Sequence, residues 1–253
     1  MSGIKLKTPS ELARMRQAGR LVGEVLRLMK EMAQPGVRTD ELDRAAEEHI
    51  ESSGGRPAFK GYRGYPATIC ASIGEEIVHG IPGPRRVQEG ELLKVDVGAV
   101  WEGFYGDAAV TIAVGEVSEP ARRLMEATRR ALRAAIAAVS PGVQLHEVSR
   151  AVQETAEQYG FSVVRDYHGH GIGRALHEEP TVPNYVSRRT TRNSPTLEPG
   201  MVLAIEPMLN VGTHRTEALS DGWTVVTKDR ELSAHFEHTV AVEEGGPSIL
   251  TLP

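Results

Sequence analysis

The sequence predicts an α/β fold built from two related halves. Three observations carry this prediction. Amphipathic helical stretches alternate along the chain with short runs rich in β-branched residues. Residues 35–54 match residues 141–160 at an offset of 106 without gaps, with identity at nine pairs: Pro35/Pro141, Gly36/Gly142, Val37/Val143, Glu41/Glu147, Arg44/Arg150, Ala45/Ala151, Glu48/Glu154, Glu51/Glu157 and Gly54/Gly160. Two copies imply a pseudo-twofold domain rather than a solenoid. Finally, residues 92–112 read as two strands joined by a tight turn.

The elements follow in order. Thr8-Pro9-Ser10-Glu11 opens a helix, with Thr8 as N-cap, Pro9 at the first helical position and Glu11 closing a capping box. Leu12, Met15, Leu21, Val22, Val25, Leu26 and Met29 supply its apolar stripe, and Pro35-Gly36 ends it. A second helix is expected over about 39–52, stopped by Gly54-Gly55. Residues 59–81 read as a Gly- and Tyr-rich loop followed by a strand, and the 92–112 hairpin closes the first half. The second half repeats the plan: a helix from Ser118-Glu119-Pro120 to about Val139, the repeated helix, then a strand over 161–165. Residues 187–195 read as an exposed loop carrying Arg188, Arg189 and Arg192. Closing strands are expected over 201–208, 223–227 and 236–242.

At 253 residues, with 40% hydrophobic and 25% charged residues, the chain has the composition of a soluble globular protein and is long enough to bury a substantial core. A single domain over residues 1–253 is expected. The net charge of -5 argues against a general nucleic-acid binder. No apolar run approaches the ~20 residues that span a membrane. Residues 1–7 lack the apolar core of a signal peptide. Cys70 is the only cysteine, so no intrachain disulfide can form. These features point to a reducing, cytoplasmic setting.

The chemistry begins in the hairpin. If its loop is Glu102-Gly103, Ala109 stands opposite Asp96; if it is Trp101-Glu102, Asp107 does. Either register puts Asp96 and Asp107 on one face, directly or diagonally adjacent. Two like charges among Val95, Val97 and Val110 repel each other and resist burial, and a divalent cation between them removes both problems. Four further clusters follow. His168-Gly169-His170-Gly171-Ile172-Gly173 leaves His170 projecting from a glycine-rich, irregular segment. His177-Glu178-Glu179-Pro180 follows it closely. Glu206 and Glu237 each stand in an apolar, strand-like run, in Ala204-Ile205-Glu206-Pro207 and His235-Phe236-Glu237-His238. Two Asp, two Glu and one His converge only if cations compensate the carboxylates. One imidazole with four hard oxygen donors suits a pair of divalent ions sharing and activating a water.

These residues resemble the methionine aminopeptidases. The resemblance runs from about residue 8 to 250. It rests on Glu75-Glu76-Ile77-Val78-His79-Gly80-Ile81-Pro82, Val95-Asp96-Val97-Gly98, Tyr105-Gly106-Asp107, Gly169-His170-Gly171-Ile172-Gly173, His177-Glu178-Glu179-Pro180, Ile205-Glu206-Pro207 and Phe236-Glu237-His238-Thr239. It implies the pita-bread fold, two pseudo-symmetric halves with antiparallel sheet covered by helices. It further implies that Asp96, Asp107, His170, Glu206 and Glu237 hold two divalent ions, with Asp107 and Glu237 bridging them. Co, Mn, Fe and Zn all suit this set. By the same resemblance, His79 contacts the scissile amide, His177 stabilises the oxyanion and Glu206 relays the proton. Phe59, Tyr62, Tyr65, Cys70, Leu176 and Trp223 line the pocket for the first side chain. The implied substrate is the N-terminal Met of a nascent polypeptide with a small second residue, a description that Met1-Ser2-Gly3 itself meets. The implied state is a monomer. Separately, the charges of Arg188, Arg189 and Arg192 suit transient ribosome contact where nascent chains emerge, against the plainer reading of an exposed, solvated loop.

Glu206 and Glu237 lie 31 residues apart, which leaves no room for the extra subdomain of type 2 enzymes and resembles the compact bacterial type 1. Two positions depart from the family's pattern. Leu176 stands where an aromatic often lines the pocket, and Lys94 where a small polar residue is common. Two competing readings share the fold. Proline-specific aminopeptidases and dipeptidases use the same ligands but usually carry a large N-terminal domain. Non-catalytic modules that bind histones or RNA have lost ligands that this chain retains.

Overall fold

The computed structural model describes residues 3–252, so the expected processing between Met1 and Ser2 lies outside it. In chain order the elements are α1 (Pro9–Met32), α2 (Thr39–Ser52), β1 (Arg56–Pro57), β2 (Ile69–Ile73), β3 (Glu76–Val78), β4 (Leu92–Trp101), β5 (Phe104–Ala113), α3 (Glu119–Ala137), α4 (Leu145–Tyr159), β6 (Ser162–Val163), β7 (Gly169–Gly171), β8 (Glu178–Val182), α5 (Arg188–Arg192), β9 (Val202–Ile205), β10 (Met208–Asn210), β11 (Thr216–Ala218), β12 (Val225–Thr227), β13 (Ser233–His235), β14 (His238–Glu243) and β15 (Gly246–Ile249). The chain has the pita-bread fold, antiparallel sheets covered by helices.

Local chemistry sets the helix ends. The Thr8 hydroxyl accepts from the Glu11 N–H at 3.3 Å, and the Glu11 carboxylate accepts from the Thr8 N–H at 3.0 Å, which completes the capping box of α1. The buried stripe of α1, with Met15, Leu21, Val22, Val25 and Met29, packs on β4 and β5. α3 and α4 pack on each other, and α3 also covers β9, β10 and β13.

The repeated Pro-Gly-Val turns make equivalent bonds. Gly36 N–H donates to Val87 O at 2.7 Å and Val87 N–H to Val37 O at 2.9 Å. Gly142 N–H donates to Leu197 O at 2.9 Å and Leu197 N–H to Val143 O at 2.8 Å. Both repeated helices run into a glycine with positive φ, Gly54 at 83° and Gly160 at 77°, where a side chain would be strained.

β4 is the spine of the first sheet. β5 pairs with its whole length on one edge, and β2 and β1 share the other. The five-stranded sheet runs β15-β14-β9-β7-β8, and two three-stranded sheets run β13-β10-β6 and β11-β12-β3. The first two sheets meet where Asp107 N–H donates to Thr239 Oγ1 at 3.1 Å and the Thr239 hydroxyl donates back to Asp107 O at 2.7 Å. Glu237 N–H donates to Ala109 O at 2.9 Å beside it. Among the described residues, no helix is long and apolar enough to cross a membrane.

Four expectations need correction. Residues 188–192 form a short helix, α5, rather than a loop, because the Ser187 and Thr190 hydroxyls cap its first turn reciprocally. The expected strand over 201–208 is broken at Glu206-Pro207 into β9 and β10, which belong to different sheets, since Pro207 has no N–H to continue the ladder. The strand over 161–165 shrinks to Ser162–Val163. His170 stands in a strand, β7, with a register shift between His170 and Gly171, instead of in an irregular segment. Its flanking glycines answer to packing: a Cβ on Gly169 would strike the Ala204 carbonyl of β9, and one on Gly171 the Glu179 carbonyl of β8.

Candidate active site

The hairpin register is fixed by its turn. Glu102 and Gly103 have φ of 47° and 78°, the two positive values of a two-residue turn that follows the strand twist. Asp96 therefore faces Ala109, and Asp107 faces Gly98. The two aspartates are diagonal neighbours on one face of the sheet. Gly98 also leaves room for the Phe59 ring, which a Cβ there would strike.

The two glutamates occupy matching breaks. β9 and β14 pair up to Ile205 opposite His238, and β10 and β13 resume with Met208 opposite His235. Glu206 and Glu237 sit in the two-residue gaps between these pairs, outside the regular ladders. His170 Nε2 lies 3.7 Å from Glu206 Oε1 and 3.8 Å from Asp107 Oδ2. Ligand atoms of Asp107, His170 and Glu237 all lie within 4.8 Å of one another.

His170 Nδ1 is 2.9 Å from Gly171 O. A carbonyl only accepts, so Nδ1 carries the hydrogen, and Nε2 turns a bare lone pair toward the carboxylates. Burial, and then the neighbouring His177, hold His170 down to about 3, so the ring is neutral. Burial pushes Asp96 up to about 7. It also raises Asp107, Glu206 and Glu237 well above the usual carboxylate range, and neighbouring carboxylates add to the effect. Asp96 Oδ1, Asp107 Oδ1 and Glu237 Oε1 are buried without a hydrogen-bond partner. Carboxylate oxygens and a bare imidazole lone pair converge here, and three of those oxygens have no hydrogen-bond partner. That donor set fits divalent cations.

A cavity of about 160 Å³ opens above these groups, lined by Phe59, Tyr62, Arg63, Tyr65, Cys70, His79, Asp96, Asp107, His170, Leu176, His177, Glu206, Trp223 and Glu237. Every residue singled out for the site from the sequence lies in this wall. The apolar side comprises Phe59, Tyr65, Cys70 and Leu176, all buried, with Tyr62 and Trp223 packed against them. Trp223 meets Tyr65 edge-on at 5.0 Å between ring centres. Tyr65 Oη donates within 3.0 Å of Ile69 O and Gly80 O, which fixes the ring, and burial raises its pKa. Burial also raises the Cys70 thiol, which stays protonated.

His79 and His177 flank the carboxylate cluster. His79 has a φ of 61°, a left-handed backbone that a residue with a Cβ adopts only when its surroundings impose it. Its ring sits edge-on to Tyr167 and to Trp223, and burial lowers its pKa. His177 stacks on Tyr62, whose Oη is 3.0 Å from His177 Nδ1, and its ring centre is 4.1 Å from that of His170. Burial first, then Arg63, bring His177 down to about 4.

One wall residue, Arg63, and one residue beneath the cluster, His235, escaped the sequence reading. Arg63 stands on the rim over the Tyr62 ring, and nothing in its Gly- and Tyr-rich surroundings signals it. His235 lies beneath the cluster with Nε2 3.9 Å from both Glu206 Oε2 and Glu237 Oε2. Its spacing of two from Glu237 was the available signal, since alternate residues of an extended chain share a face.

Comparison with known proteins agrees with this geometry. The model of metallopeptidase family M24 matches residues 13–244. The chain belongs to that family. The methionine aminopeptidase of Clostridium acetobutylicum is 49% identical over 250 residues, covering 98% of this chain and 99% of that protein. The methionine aminopeptidase of Escherichia coli K12 is 44% identical, covering 98% and 94%. Among solved structures, the methionine aminopeptidase of Thermotoga maritima superposes with a TM-score of 0.96 at 45% identity, covering 99% of this chain and all of that one. The prolidase of Pyrococcus furiosus superposes at 0.79 with 25% identity, and this chain covers only 65% of it. The M24 chain is thus a metal-dependent aminopeptidase whose whole length matches the methionine-specific members of the family.

Proposed function

We infer that this enzyme removes the N-terminal methionine from peptides and nascent proteins whose second residue is small. One observation carries the reading: the five candidate metal donors and a buried apolar wall share one cavity of about 160 Å³, room for a single side chain beside the reacting centre.

Asp96, Asp107, His170, Glu206 and Glu237 would hold two divalent ions of the Co, Mn, Fe or Zn type. Such ions, when bound, acidify a water and polarise the scissile carbonyl. The chain's own groups do the rest. The methionine side chain enters between Phe59, Tyr65, Cys70, Leu176 and Trp223, with Tyr62 at the edge. Glu206 accepts the proton of the attacking water and returns it to the departing amine. His79 contacts the scissile amide. His177 is neutral because it is buried; the tautomer in which its Nδ1 accepts from the Tyr62 hydroxyl leaves the other nitrogen with the hydrogen that is donated to the oxyanion.

The enzyme is proposed to act in the cytoplasm as a monomer. Arg188, Arg189 and Arg192, exposed on α5, are the proposed surface for transient ribosome contact. Reversing the three charges and measuring cosedimentation with ribosomes checks that part. The function itself is tested with metal-reconstituted protein on Met-Ala-Ser against Ala-Pro peptides. Cleavage confined to the first bond of Met-Ala-Ser is expected, and a preference for the Ala-Pro peptide contradicts it.

A further inference from the structure

His235 is locked in place by its backbone and left open at its ring. Its N–H donates to Thr111 Oγ1 at 2.9 Å, and its carbonyl accepts from the same hydroxyl at 2.7 Å. The residue is only 1% exposed, and both ring nitrogens lack a hydrogen-bond partner. A neutral imidazole carries one N–H, and leaving it unpaired in a protein interior forfeits the hydration it had in water. The acceptors in reach are Glu206 Oε2 and Glu237 Oε2, each 3.9 Å from Nε2. An adjustment of about 1 Å, small for a glutamate side chain, brings either one to hydrogen-bond distance. Glu206 therefore stands between two imidazoles, with Oε1 toward the bare Nε2 of His170 and Oε2 toward His235.

We propose that His235 is a positioning residue of the metal centre: its single Nε2–H is shared between the Oε2 atoms of Glu206 and Glu237 and fixes the direction in which both glutamates present their remaining oxygens. The proposal rests on the reading that these two glutamates hold divalent ions. The imidazole acts through the carboxylates and does not itself bind an ion. The two Oε2 atoms it faces belong to residues from opposite gaps in the strands, so one donor aligns both. Partners of this kind usually contribute 10- to 100-fold in metal affinity.

The test uses the full chain, titrated with Co(II) against a competing chelator, with the d–d absorption spectrum recorded at saturation. His235→Gln keeps a donor at the site, and His235→Leu removes it at similar bulk. His235→Leu is expected to weaken Co(II) binding about 10- to 100-fold at unchanged stoichiometry. His235→Gln is expected to keep both the affinity, within about 3-fold, and the wild-type spectrum. Wild-type affinity in His235→Leu overturns the proposal, as does a loss of stoichiometry in both variants, which makes His235 a ligand. Failure of the wild-type chain to bind Co(II) at all overturns the underlying metal reading instead. A second measurement needs no variant. ¹⁵N spectra of histidine-labelled, Zn(II)-loaded protein are expected to show His235 neutral with its hydrogen on Nε2, and a bare Nε2 contradicts the assignment.

Discussion

Asp107 stands opposite Gly98 in the β4–β5 hairpin, which places it diagonally across from Asp96 on the same face. Both carboxylates have a buried oxygen with no hydrogen-bond donor, and both are pushed toward neutrality by burial. A divalent cation between them would relieve their repulsion and give the unpaired oxygens a partner.

Metal removal follows directly. Chelation should abolish turnover, and readdition of Mn or Co should restore it. Asp107→Asn should lose stoichiometric metal and activity together while keeping its fold, because the exchange removes charge at constant shape. Full turnover in a demonstrably metal-free preparation contradicts this.

His177 should behave differently from the carboxylates. Its ring is held by Tyr62 at 3.0 Å, and its centre lies 4.1 Å from that of His170 with the two rings tilted by 40°. His177→Ala should lower kcat by roughly 10²–10³, the usual effect of losing one oxyanion donor, with metal content unchanged by elemental analysis. Loss of metal in this variant would make His177 a ligand.

Lys94 predicts a pH dependence of stability. Its amine is fully buried and donates to Gly74 O at 2.7 Å and Ser233 O at 3.2 Å, tying the β2–β3 turn and β13 to β4. A neutral amine has two hydrogens, and these carbonyls take both. Burial drives its pKa from 10.5 down to about 7. Between these two values the unfolded chain holds a proton that the native one does not, so stability rises with pH through this window and the penalty stays in full below it. At about 1.36 kcal/mol per unit the swing over the whole window is of order 5 kcal/mol. Denaturant unfolding of wild type against Lys94→Met between pH 7 and 10 reads it: the difference should shift toward the wild type as pH rises. A difference that does not change with pH contradicts this account.

Much of this was legible in the sequence because the signals were local. The Thr8 capping box, the Pro-Gly-Val turns and the Glu102-Gly103 turn each set their own backbone. The alternating pattern around Asp96 and Asp107 then fixed which face they share. What the sequence concealed depends on distant partners. Glu206 and Glu237 read as strand residues, yet they stand in breaks that exist because β9 and β10 leave for different sheets. α5 has no apolar stripe and is held by hydroxyl caps within a run of Arg and Thr. Lys94 stands out in the sequence only as a departure from the family's pattern, and its role depends on the distant Gly74 and Ser233 carbonyls around its amine. His235 stood in plain view beside Glu237, and only the fold shows that its ring nitrogens face two glutamates.

The central claim is methionine removal governed by a small second residue, and kcat/KM on a Met-X-Ser series with metal-loaded protein tests it most directly. The second side chain must fit beside His79, His177 and the carboxylate cluster, in a site whose rings are fixed by their partners. Overpacking there costs roughly 1–3 kcal/mol, and about 1.36 kcal/mol is tenfold in rate. Peptides with X = Ala or Ser should be cleaved at least ~10-fold to 100-fold faster than those with X = Leu or Lys. Equal rates for X = Ala and X = Leu would contradict the account.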